Sequence, residues 1–264
     1  MKLHITSCQA PNANPFGAVL TVYLAQQLNL SIQFDIETPW PIRLQQVFTG
    51  QIQIGWICGY PSVQKADVPN PQLELLAVPL MAGRRSTNWP IYFSDVVVRR
   101  DSSFFQFSDL RGALWAYNEI GSQSGYHITR YKLAQMGENG NFFGEVIESG
   151  AHERSLQLIL SGEIDSAPID STVLETELRR DPTLAAQIRI IDTLGPSPIP
   201  PWVIHKSVPV LLRQEVRLLL TQMHLNPVGR AILASAQQLR FDTAVDADYD
   251  PIRNMLHQAQ AVHL

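Results

Sequence analysis

The sequence predicts an α/β protein of two lobes, each a mainly parallel sheet flanked by helices, with extended segments crossing between them. Three observations predict it. Short β-branched runs alternate with helical patterns from the first residues, a second such series starts near residue 101, and the proline-rich GPSPIPPW separates that series from a helical tail. The 264 residues, 45% of them hydrophobic, are enough for a large core in one big domain or two small ones.

In order along the chain, LHITS reads as a strand and FGAVLTVYLAQQL as a helix. Phe16, Val19, Leu20, Tyr23, Leu24 and Leu28 recur there at spacings of three and four, predicting one buried face. SIQFDI is a strand, RLQQVFTG a helix after a proline turn, and QIQIGWI, LELLAVPL and IYFSDVVVRR continue the sheet. The second series runs ALWAY, a helix from about Gly125, FGEVIES, HERSLQLILSG, EIDSAPI, TVLETELRR and IRIIDT. GPSPIPPW is a stiff extended connector, because each proline ring fixes φ and removes a donor. WVIH and three helical runs follow, the last two opening on Asn-Pro and Asp-Pro, a capping side chain ahead of proline at the first helical position. The expected lobes are residues 1–94 with 200–264, and 95–199.

Several classes are excluded. A net charge of −4 with interspersed signs offers no basic patch for nucleic acid, and no apolar run has the length of a membrane span. MKLHITSCQAPN contains neither an apolar signal core nor a small-residue cleavage site, so this stretch is not read as a secretory signal. Cys8 and Cys58 lie in strand-like segments, too few for a disulfide framework or a zinc site, and read as buried free thiols, with one bridge between them as the alternative. The sequence contains no GxSxG, HExxH, Walker or dinucleotide motif, so it is read as non-enzymatic, with no cofactor and no metal.

One segment asks for a ligand. GSQSGYHITR follows a strand and a turn and opens a helix, bringing free N–H groups, two hydroxyls and the positive end of the helix dipole to one point. Gly125 removes a Cβ that would crowd an oxyanion there, although serine capping accounts for the local pattern as well. SGAHERSLQLILSG repeats the design with His152 in the first helical turn, where the dipole favours the neutral ring, which still donates through one nitrogen. Asp170 and Ser171 fall at the carboxyl end of a strand, where ligands of α/β sheets bind, or else cap the next helix. Tyr60 and Tyr92 lie at strand ends and suit either a core position or a ligand contact.

Together, QIGWICGYP, YFSDVVVRRDS with DLRG, NEIGSQSGY, SGAHERSLQLILSGEIDSAPIDSTVLE, SPIPPWVIHKSVP and DADYDPIR resemble the substrate-binding proteins of phosphate, phosphite and phosphonate ABC importers, in the family's order and over most of the chain. The resemblance implies a type II periplasmic-binding-protein fold whose lobes close on a ligand by a hinge motion. It implies that Ser122, Gln123, Ser124, Gly125 and Tyr126 hold the oxyanion, with His152, Asp170, Tyr92 and, by a looser match, Tyr60 as further contacts. It also implies delivery to an ABC permease by a monomer, in the periplasm or at the cell surface if a leader was removed, and in the cytoplasm if Met1 is the true start. Gln123 departs from the family's small hydroxyl residue and puts the headgroup preference in question. The alternatives are a cytoplasmic ligand-sensing domain of the same fold, and an enzyme such as a thiamine pyrimidine-precursor synthase, whose cysteine-rich iron motif is absent.

Overall fold

The computed structural model describes residues 2–264 apart from 84 and 87. Contacts divide the chain into two units, Met1–Ile91 with Pro198–Asp250, and Tyr92–Ser197 with Pro251–Leu264. The first unit holds β1 (Lys2–Ser7), α1 (Asn14–Leu28), β2 (Ser31–Phe34), α2 (Trp40–Phe48), β3 (Ile54–Trp56), α3 (Gly59–Ala66) and β4 (Leu73–Met81). The second carries β5 (Ile91–Arg99), β6 (Leu114–Tyr117), α4 (Ile128–Gln135), β7 (Glu145–Glu148), α5 (His152–Ser161), β8 (Ser166–Asp170), α6 (Ser171–Arg180), α7 (Leu184–Gln187) and β9 (Ile188–Pro198). The chain then returns to the first unit with β10 (Trp202–His205), α8 (Val210–Gln222), α9 (Pro227–Ser235) and β11 (Gln238–Asp242), and ends in α10 (Asp250–Gln258).

Each unit has its own sheet, in the orders β11-β4-β10-β3-β1-β2 and β7-β6-β8-β5-β9. The parallel pairing expected from βα alternation is found in β2-β1-β3 and β7-β6-β8. Strands that arrive by other routes enter antiparallel: β10 beside β3 and β4, β11 beside β4, and β5 beside β8. β11 begins inside a run read as helix from sequence, NPVGRAILASAQQL, taking its last two residues, Gln238 and Leu239. Its two-residue alternation is short, and Gln237 at φ 54 makes the turn from α9 that frees it.

The α1 stripe is rotated from the one expected. Phe16, Leu20, Tyr23 and Leu24 are buried, but Val19 is exposed, while Gly17 and Thr21 take places on the inner face. A Cβ on Gly17 would lie 2.5 Å from the Phe34 ring, so the glycine lets the helix settle onto β2. In the same unit Trp56 stacks on Trp202 with ring centroids 5.4 Å apart, and its indole N–H donates to the Pro200 carbonyl at 3.0 Å. The proline-rich connector is therefore anchored through carbonyls, the only main-chain hydrogen-bonding group proline has. The thiols of Cys8 and Cys58 are half-buried rather than buried and sit just past the ends of β1 and β3.

The sequence reading places the tail with the first unit, whereas contacts assign residues 251–264 to the second. The reason is packing. Met255 and Val262 join Phe107, Trp115, Phe142 and Phe143 in one buried cluster, and Arg130 donates to the carbonyls of Ala259 at 2.8 Å and Val262 at 2.6 Å. The unit boundaries fall at 91/92 and 197/198, and both units are discontinuous.

Candidate functional site

The candidate site is built in the second unit, at the carboxyl end of β6. After Tyr117 the chain turns through Asn118–Gly121 and enters a π-type turn, Gln123–His127, that runs on into α4. The turn is wide because the N–H of His127 bonds to the Ser122 carbonyl and that of Ile128 to the Gln123 carbonyl, five residues back in each case. Ser122 caps it, its Oγ accepting from the Gly125 N–H at 3.0 Å. The amides of Gln123 and Ser124 lie ahead of the first main-chain bond of the turn, from Tyr126 N–H to the Ser122 carbonyl at 3.1 Å.

Hydroxyls and one imidazole converge on this start. Ser122 Oγ is 3.5 Å from Ser124 Oγ, which is 3.1 Å from His152 Nε2. His152 opens α5 and is buried; burial drives its pKa down to about 4 against a hydrogen bond at the Pro168 backbone, so the ring is neutral at pH 7. Ser94 on β5, a residue without an assigned role in the sequence reading, donates its Oγ hydrogen to the Ser124 carbonyl at 2.6 Å and holds the turn against the sheet. A serine one strand away leaves no trace in local spacing.

Asp170 ends β8 opposite Ser94 in the β5–β8 register and caps α6, accepting from Thr172 N–H at 2.8 Å and Thr172 Oγ1 at 2.7 Å. Burial raises its pKa to about 6; the Thr172 bonds pull it down, and the charge of Asp95 adds to the rise. Tyr92, buried, lies two residues before Ser94 on β5. Tyr126 packs edge-on against Tyr117 at 4.9 Å and carries the Arg130 guanidinium 5.6 Å from its ring centre. Tyr60 belongs to the first unit, at the start of α3, where its hydroxyl accepts from Gln64 Nε2 at 2.6 Å.

Gln123, which the family resemblance implies as an oxyanion contact, makes contacts of its own within the second unit. Its side chain is fully buried, and its amide nitrogen reaches Ser197 Oγ at 3.4 Å and Met255 Sδ at 3.3 Å, toward α10. Two further groups were missed from sequence. Asn118 lies over Gly125, and Glu119, in the turn before Ser122, has its pKa pushed up to about 8, first by burial and then by the charge of Glu148. Among the described residues no group of three or more His, Cys, Asp or Glu could hold a metal, and no helix is long and apolar enough to cross a membrane.

Solved structures with this fold include a binding-protein component of an ABC phosphonate transporter from Pseudomonas aeruginosa, with a TM-score of 0.86 at 17% identity, covering 98% of this chain and 86% of that one. PhnD1 from Prochlorococcus marinus, in complex with methylphosphonate, has a TM-score of 0.85 at 17% identity, with 99% of each chain covered. The periplasmic aliphatic sulphonate binding protein SsuA from Escherichia coli has a TM-score of 0.62 at 14% identity over 98% of this chain and 85% of that one. The architecture is that of a type II periplasmic binding protein. The family model described as "ABC transporter, phosphonate, periplasmic substrate-binding protein" matches residues 16–249, so this chain belongs to the periplasmic substrate-binding proteins of phosphonate ABC transporters.

Proposed function

We propose that this chain captures a small phosphonate-, phosphite- or phosphate-like oxyanion at the Ser122–Tyr126 turn and delivers it to an ABC permease from the periplasmic side of the membrane. The observation that carries the reading is the meeting of Ser122 Oγ, Ser124 Oγ and His152 Nε2 at a buried helix start. Helix-start amides and hydroxyls present donors to an anion without a full counter-charge, and the dipole favours negative charge there. Charge-assisted hydrogen bonds of this kind hold an anion firmly yet release it, which suits capture and delivery. His152 is neutral, so it contributes hydrogen bonding rather than charge.

Asp170 and Tyr92 are proposed as contacts because their strands end beside Ser94 and the turn it fixes. The assignment of Tyr60 rests on the family resemblance. Gln123 is assigned to positioning the turn, since its amide is engaged toward α10. The role proposed is binding, with no covalent step and no resident cofactor.

Ligand-free protein should melt at a higher temperature with at least one of methylphosphonate, aminoethylphosphonate, phosphite and phosphate, by mass action on the folded state. No shift with any of them at millimolar concentration would overturn the proposal.

A further inference from the structure

The start of the π-type turn is covered on one side by Asn118, a residue to which neither the serine motif nor the family resemblance assigns a role. Asn118 follows β6 and keeps only 8% of its surface exposed. Its main-chain carbonyl accepts from the Gly150 N–H at 2.8 Å, on the turn that leads to His152. Its side-chain Oδ1 is buried and has no hydrogen-bond partner. That oxygen lies 1.7 Å from the point a Cβ on Gly125 would occupy, and Ser122 Oγ lies 3.2 Å from the same point. The carboxamide is therefore aimed into the serine turn and occupies the space that glycine leaves open.

A buried acceptor without a donor is a costly arrangement, and such groups mark places where a ligand completes the bonding. The Gly125 N–H cannot serve, because it is given to Ser122 Oγ. A phosphonate, phosphite or phosphate carrying one proton brings its own donor, the P–OH, whereas a sulfonate or sulfate at the same pH has only acceptors. We propose that Asn118 is a specificity-determining residue that accepts a hydrogen bond from the P–OH of a singly protonated phosphorus oxyanion and so rejects sulfur oxyanions. This rests on the oxyanion reading of the Ser122–Tyr126 turn.

The elements around Asn118 also carry ionisable groups. Its neighbouring elements carry Glu119 in the same turn, Glu148 ending β7, His152 and Glu153 opening α5, Tyr126 and His127 after Ser122, and Asp170 ending β8. Glu119 at about 8 and Asp170 at about 6 change charge in the range where a phosphonate loses its second proton. His152 at about 4 and His127 at about 3 are neutral above that range's lower end. The decisive comparison is therefore made at one pH, between ligands of equal charge.

Methylphosphonate and methanesulfonate at about pH 5 share shape and a single negative charge and differ by one hydroxyl proton. Calorimetry on ligand-free protein should show methylphosphonate favoured by roughly a hundredfold or more, as expected of a site that bonds a ligand hydroxyl. Asn118→Leu, with no acceptor, should reduce the preference to below about tenfold through weaker methylphosphonate binding. Asn118→Asp, which keeps an acceptor, should retain the preference and carries the test if the leucine variant does not fold. An unchanged ratio in Asn118→Leu, or a lost one in a folded Asn118→Asp, would overturn the proposal. So would methylphosphonate affinity that climbs as the ligand loses its second proton in a Glu119→Gln background, the result expected if the carboxamide presented Nδ2 instead. If no phosphorus oxyanion binds the wild type, the functional reading itself has failed; if they bind without preference over methanesulfonate, only the role of Asn118 has.

Discussion

Ser122 and Ser124 sit 3.5 Å apart at a helix start, and their roles in folding and in binding separate by substitution. Replacing either by Ala should weaken oxyanion binding by roughly 1.5–3 kcal/mol, the range for hydrogen bonds to a charged group. Calorimetry beside a urea titration would test this: an affinity left unchanged while stability falls would reduce the motif to capping. Gly125→Ala is a sharper case, because its Cβ would fall 1.7 Å from Asn118 Oδ1. Either the Asn118 carboxamide or the turn must move, and the ligand-induced rise in melting temperature should be lost even where the protein folds. Glu119 bears on pH. Its folded pKa of about 8 lies above the ordinary 4.5, so the folded state holds a proton that the unfolded chain has released between those values. Stability from this group therefore falls as pH rises through that window, and Glu119→Gln should raise stability above pH 8 by on the order of 1–3 kcal/mol, read from urea midpoints. His152 has the opposite sign. Its folded pKa of about 4 lies below 6.5, so stability is lost as pH falls from 6.5 through 4.

Elements position these residues in ways that local sequence shows unevenly. The strand, turn and helix around GSQSGYHITR were legible because apolar ALWAY, a turn and a serine cap are local signals. The five-residue hydrogen bonds of the π turn were not, since the same residues also suit an ordinary α-helical start. Gln123 is the clearest example. The family resemblance implies an oxyanion contact there, while Ser197 and Met255, 74 and 132 residues away, lie at its side-chain amide. Gln123→Ala should accordingly lower the urea midpoint through loss of the packing between the turn and α10, while the order of preference among oxyanions is kept. A changed ligand order at unchanged stability would return Gln123 to the ligand.

Within the whole molecule the last 14 residues, 251–264, belong with the second unit's core. Removing them would uncover a cluster containing Trp115, Phe107, Phe142 and Phe143 and take away the carbonyls that Arg130 uses. Hydrogen exchange on a chain ending at residue 250 should show faster exchange in residues 107–143 than in β1 and β3 of the first unit. Equal acceleration in both would contradict the division. Sequence pattern placed the tail elsewhere because an amphipathic helix shows that it has a buried face, not which core that face joins.

What the sequence determined by itself is local and periodic: two βα series, the proline-rich connector, the serine cap and a set of motifs in the family's order. Those properties depend on neighbours within a few residues, so they survive without the fold. Tertiary structure alone decided which strands run antiparallel, where α10 packs, that Ser94 braces the serine turn, and that Asn118 stands over Gly125. These are contacts between residues far apart in the chain, set by how apolar faces and main-chain hydrogen bonds are satisfied together, and no spacing within one segment encodes them.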